Sequence, residues 1–135
     1  MTVAKDEYNI IKNSTTYSST SEKIIGTWID GKPVYRKVVP VTLPAYNQPT
    51  SSTHGIANMD VLVNFSLHWY DTSDGAWYDR FRLWEESYGI AMEMNVDGTN
   101  VNINTNKTNS IDWTSRTSKA FAILEYTKTT DNGNS

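Results

Sequence analysis

The chain has 135 residues, with 12 Lys and Arg against 15 Asp and Glu for a formal net charge of −3, and it lacks cysteine. That length suits one domain with one core, no apolar run is long enough to span a membrane as a helix, and disulfides, thiolate metal sites and a cysteine nucleophile are excluded. The mild acidity and the lack of clustered Lys and Arg argue against a nucleic-acid partner, and residues 1–12 lack the basic head and apolar stretch of a secretory signal.

Only 20% of the residues are charged, while Ser, Thr and Asn make up about a third and the chain carries 5 Trp and 8 Tyr. Thr, Tyr and Trp favour strands, and Asn and Ser favour turns. The composition therefore predicts an all-β domain with a neutral, polar surface.

In chain order, residues 2–12 place Ala4, Tyr8 and Ile11 at helical spacing behind Thr2, which predicts a short helix too small to be stable alone. Residues 13–21 read as a polar linker whose one apolar anchor is Tyr17. Residues 1–21 are thus expected to form an arm that needs a partner, or an edge element packed on its own domain. The domain is expected over 22–131, with a polar tail at 132–135.

Residues 23–29 and 32–41 read as two strands, joined at Asp30-Gly31 by a two-residue turn of the I′ kind. Gly26 in mid-strand predicts a bulge, and Trp28 and Tyr35 are expected to pair across the hairpin. Residues 43–53 read as a loop. Residues 59–70 alternate, with Val61, Val63, Phe65, Leu67 and Trp69 on one face. A turn at 71–75 leads to a strand over 77–84, and another strand is expected over 88–95. Asp97-Gly98 marks a second hairpin, followed by a short strand carrying Val101 and Ile103. Residues 105–118 read as a polar loop. Residues 119–128, apolar on both faces, predict a central strand. Seven antiparallel strands with frequent turns imply a β-sandwich of jelly-roll or Greek-key type.

Little in this pattern suggests catalysis. His54 and His68 have no partner near in sequence, and no Gly-x-Ser-x-Gly elbow exists. Asp71, Asp74, Asp79, Glu85 and Glu86 cluster as glycosidase acids would, but they equally read as turn caps and a solvated corner. The stretch 71–75 has the look of a calcium loop without its bidentate Glu. No phosphate-cradling glycine loop is present. Catalytic residues, metal ligands and cofactors are therefore not expected. The aromatic loop 69–78 is the better candidate. Tyr70, Trp77 and Tyr78 lie beside Asp71 and Asp74, the mixture of flat rings and acceptors that a sugar requires. Trp69 shares the apolar face and is read as core.

Residues 17–37 are more specific. Tyr17-Ser18-Ser19-Thr20 leads through Glu22 to Ile25-Gly26-Thr27-Trp28-Ile29-Asp30-Gly31-Lys32-Pro33-Val34-Tyr35-Arg36-Lys37. This resembles a segment of phage and prophage tail-fibre or minor structural proteins, in which a Tyr-Ser-Thr stretch and a Glu precede Ile-Gly-x-Trp-x-Asp-Gly-Lys-Pro-x-Tyr-x-Lys. His54-Gly55-Ile56-Ala57-Asn58-Met59-Asp60 and Leu124-Glu125-Tyr126-Thr127-Lys128-Thr129-Thr130-Asp131 are similar to two further motifs of that family, in the same order. The resemblance spans residues 17–131, with a divergent middle at 70–118.

It implies a β-sandwich module of a virion appendage, usually a homotrimer and often a host-recognition part, without enzymatic activity. Its partners would be other virion proteins, through the arm, and host cell-surface polysaccharide. With about 20 residues before the domain, a small separate appendage, cap or decoration protein is expected. Tyr8, Ile11, Tyr17, Trp28 and Tyr35 are the candidate subunit-interface residues. Two alternatives remain open at this point: a monomeric carbohydrate-binding module using loop 69–78, and a polysaccharide hydrolase.

Overall fold

The last apolar run of the sequence becomes the central strand. The computed structural model describes residues 16–44, 48–79, 92–105 and 113–133. Its strands are β1 (Lys23–Thr27), β2 (Pro33–Pro40), β3 (Thr50–Thr53), β4 (Met59–Asp71), β5 (Ala76–Tyr78), β6 (Met92–Val96), β7 (Asn100–Thr105) and β8 (Thr117–Lys128). They form a five-stranded sheet in the order β1-β2-β8-β4-β5 and a three-stranded sheet in the order β3-β7-β6. Every pairing is antiparallel. The fold is an all-β sandwich, and the described residues contain no α-helix. The helix expected over 2–12, Tyr8 and Ile11 with it, lies outside the described residues, as do most of the strand expected over 77–84 and the start of that expected over 88–95.

Burial between the sheets drives this arrangement. Val39, Ala122, Leu124 and Tyr126 of the large sheet meet Ile56 and Val101, all nearly or fully buried. Beside them Leu67 and Trp69 of β4 meet Leu43 and Ile103 of β7. β8 is central because its inward residues serve both groups.

His54 pins the two sheets together. Its Nδ1 accepts a hydrogen bond from the Ile56 N–H at 3.0 Å. The ring proton therefore sits on Nε2, which donates to the Asp97 carbonyl at 2.8 Å in the β6–β7 turn. Lys37 on β2 donates to the His54 carbonyl at 2.7 Å. A buried imidazole with both nitrogens satisfied is a structural element.

The structure corrects four local expectations. The first hairpin has a three-residue loop. Trp28 N–H bonds the Lys32 carbonyl, and Gly31 N–H bonds the Trp28 carbonyl. Only Gly31 takes a positive φ, 88°, while a I′ turn needs two such residues. The Asp30 carboxylate accepts the Lys32 N–H and favours this geometry. Trp28 therefore closes the loop opposite Lys32, and Tyr35 pairs with Ile24. The bulge expected from Gly26 is present, between Ile24 and Gly26.

Thr50–Thr53, expected to be loop, is strand β3. It is held on β7 by its ladder and by side-chain bonds from Ser51 to Asn102 and Thr53 to Asn100. On β4, two register irregularities, between Met59 and Leu62 and between Leu62 and Asn64, rotate the first half of the strand. Val61 is left 40% exposed, while Leu62 packs on the core. The stretch 16–21, part of the expected linker, is docked. The Ser18 carbonyl accepts the Val38 N–H at 2.9 Å, and the Ser18 hydroxyl caps the N–H groups of Thr20 and Ser21.

Residues far apart in sequence meet at the end of the large sheet. Tyr126 and Lys128 both donate to the Glu22 carboxylate at 2.6 Å. Tyr35 stacks on Tyr126 with ring centroids 5.9 Å apart and donates to Asp131 at 2.7 Å. Burial, then the Glu22 bond, pushes the Tyr126 hydroxyl well above the usual tyrosine range. The Asp131 bond raises that of Tyr35. Both hydroxyls thus stay protonated as donors.

The β6–β7 turn yields a pH test. Asp97 accepts the N–H groups of Asn100 and Thr99 and the Asn102 amide, and those bonds lower its pKa from 3.8 to about 2. A depressed carboxylate contributes stability above its unfolded pKa and loses it as the pH falls through its folded pKa. The turn should therefore loosen between about pH 4 and pH 2. Hydrogen exchange at Thr99 and Asn100 should accelerate in that window, and Asp97→Ala should accelerate it at neutral pH and erase the step.

Candidate functional site

The β4–β5 hairpin is built by its turn. Asp71 is 1% exposed, and its Oδ1 accepts the N–H groups of Ser73 and Asp74 at 2.8 and 3.3 Å. Gly75, at φ 68°, returns its N–H to the Asp71 carbonyl at 2.8 Å. The other carboxylate oxygen of Asp71 meets Arg116 at 2.9 Å. Two bonds from Thr72, through its N–H and its hydroxyl, to the Arg116 carbonyl tie the turn to the start of β8.

Strand alternation then divides the aromatic set. The pairs are Trp69 with Tyr78, Tyr70 with Trp77, and Asp71 with Ala76. Trp69 and Tyr78 turn inward and stack at 5.0 Å with 27° between planes. Tyr78 also donates to Asp74 at 2.7 Å, and Asp74 lies 3.9 Å from Arg116. Tyr70 and Trp77 take the outer face, 5.5 Å apart. Of the five residues expected to gather around a sugar, Asp71 and Tyr78 are thus committed to turn and core. Asp74 sits in the exposed turn, and Tyr70 and Trp77 face solvent.

β8 extends the outer group. Phe121 lies opposite His68 and Lys119 opposite Tyr70. The His68 and Phe121 rings stack at 5.2 Å, and the Trp77 ring meets Phe121 edge-on at 6.2 Å. Tyr70, Trp77, Phe121 and His68 therefore form one continuous row of rings across β5, β4 and β8. Trp77 remains 52% exposed. Phe121 and His68 were not expected in this group. The available signal was the alternation on β8, which puts Phe121 on the face opposite Ala120 and Ala122.

Lys119 borders a cleft whose lining includes Val41, Thr42, Leu43, Thr117, Ser118 and Ala120. The Lys119 side chain is exposed and makes no hydrogen bond or ion pair with the described residues. Further along the same face Arg36 and Glu125 neutralise each other at 2.7 Å.

Other chemistry-bearing residues are arranged differently. Ser66 Oγ and His68 Nε2 lie 2.8 Å apart on the outer face. No carboxylate among the described residues bonds the other ring nitrogen. No group of three His, Asp or Glu side chains gathers as metal ligands among the described residues. Glu85 and Glu86 lie outside them.

Among the interface candidates, Tyr35 is spent on the Tyr126 stack. Tyr17 is 54% exposed, with the Arg36 guanidinium 4.3 Å above its ring. Trp28 is partly exposed in the first hairpin. Two residues not expected there, Ile24 and Ile29, are 62% and 91% exposed. No family model matches the chain, and neither a curated protein nor a solved structure matches it.

Proposed function

We propose that this chain is a non-catalytic attachment module of a bacteriophage virion appendage, which holds host-surface polysaccharide on the outer face of its five-stranded sheet. The observation that carries the binding part is the row Tyr70, Trp77, Phe121 and His68, with Trp77 half in water. Pyranose rings present apolar C–H faces that stack on aromatic rings, and their hydroxyls seek polar groups at the rim. Ser66, beside His68 on that face, and Thr42 and Thr117 in the cleft at Lys119 supply such groups. A row of rings laid across three strands suits an extended chain of sugars better than a small enclosed ligand.

The virion part rests on the motif resemblance. The structure lends it a physical reason. Glu22, Tyr35, Tyr126, Lys128 and Asp131, which stand in or beside the motifs, form two hydrogen-bonded groups joined by the Tyr35–Tyr126 ring stack. A signature of that kind would be kept for folding, while the outer face is free to vary with the host.

The module is proposed to work as a homotrimer in the virion, after assembly in the bacterial cytoplasm. The exposed Tyr17, Ile24 and Ile29 support an apolar subunit contact. A monomeric carbohydrate-binding module using the same face is the second reading, favoured by the ring row itself.

Two measurements test these readings. On a glycan array the protein should bind polysaccharide fragments, and Trp77→Ala should abolish binding while changing stability by less than about 1 kcal/mol. Binding unchanged in that variant removes the site. Light scattering on a size-exclusion column, at two concentrations, should give a mass of three chains; a clean monomer transfers the case to the second reading.

A further inference from the structure

We propose that the outer face is selective for acidic polysaccharides, with a sugar carboxylate held by Lys119 while the neighbouring ring stacks on Trp77 and Tyr70. This rests on reading that face as a carbohydrate platform and adds the class of sugar.

Charge complementarity is the argument. The strand register places Lys119, Tyr70 and Trp77 in one line across β8, β4 and β5. A cation and two rings are thus neighbours on one surface. Lys119 is solvent-exposed and carries no countercharge among the described residues, whereas Arg36 on the same face is neutralised by Glu125. Lys128 and Lys32 are likewise committed, to Glu22 and Asp60. The chain is acidic overall, so an uncommitted cation beside a ring platform is a local departure from the protein's own field.

The cleft at Lys119 is lined by Thr42, Thr117 and Ser118 together with the apolar Val41, Leu43 and Ala120. A carboxylate seated there meets a full charge and hydroxyl donors, and the sugar ring reaches the aromatic row. An exposed ammonium–carboxylate contact is modest and salt-screened. The selectivity should therefore be about fivefold at low salt and fade as salt is added.

The test uses matched acid and neutral probes in calorimetric titrations of the full chain. The first pair is an oligogalacturonate and its methyl ester, and the second a hyaluronan oligomer and its carboxyl-reduced form. The acid member should bind about fivefold tighter. Lys119→Gln should bring the pair level, Lys119→Arg should keep the gap, and Trp77→Ala should weaken both members. All three substitutions fall on exposed residues and leave the fold intact. Equal binding within each pair overturns the acidic selectivity and leaves the platform standing. An acid preference that survives Lys119→Gln overturns the role of Lys119. Binding of no member of either pair overturns this inference and the platform together.

Discussion

Trp69→Ala should lower the stability of the domain by about 3–5 kcal/mol. Trp69 is 0% exposed, stacks on Tyr78, and packs with Leu43, Leu67 and Ile103. An indole buries roughly 150–250 Å², and the four neighbours come from four separate segments that cannot collapse together onto the void. Small domains have only about 5–15 kcal/mol in total, so the loss is a large share. Urea titration followed by far-ultraviolet circular dichroism reads it as a lower midpoint at unchanged slope. A change under about 1 kcal/mol would mean that Trp69 is not a core residue. The contrast with Trp77→Ala, eight positions later on the opposite face, is part of the expectation.

Arg116→Ala should cost about 3 kcal/mol, the low end of what breaking a buried ion pair costs, because Arg116 keeps 24% of its side chain in water while Asp71 keeps 2%. The substitution leaves the Asp71 carboxylate with two backbone N–H groups and no ion pair among the described residues. The second arm is Asp71→Asn added to Arg116→Ala. An amide can keep the turn bonds and needs no countercharge, so the double variant should recover part of the loss. A double variant no better than the single one would show that Arg116 acts through packing. The turn held by this pair sets the register of β5, so Arg116→Ala should also weaken glycan binding without touching the ring row.

The strong alternation of residues 59–70 and the doubly apolar run 119–128 made β4 and β8 legible, and with them the sandwich. β3 was not legible, because Thr50–Thr53 has no apolar residue and gains its strand from the pairing with β7. The inward face of β4 was right at Leu67 and Trp69 and wrong at Val61, since a period-two reading cannot anticipate two bulges. The aromatic hairpin was foreseen as a group. Its division into Trp69 with Tyr78 and Tyr70 with Trp77 follows from that same alternation once the register is known. Phe121 belongs to the row through a pairing between segments about 50 residues apart, which local pattern does not encode. The hairpin at Asp30-Gly31 was right in place and wrong in length, because one left-handed residue and an aspartate cap suffice for the longer loop.

The position of β8 has a consequence for synthesis. Of the eight strands it leaves the ribosome last, yet both β2 and β4 pair with it. Until residues 117–128 are made, β2 and β4 can carry only their local hairpins, with β1 and β5, and the large sheet has no middle. The nascent chain must hold Leu67 and Trp69 without a finished core until β8 has been made. Such non-local closure is slow, and it leaves unpaired strand edges exposed in the meantime. A chain that stops short of Thr117 should therefore yield no smaller version of the domain, and assembly into any larger particle must wait for the whole segment.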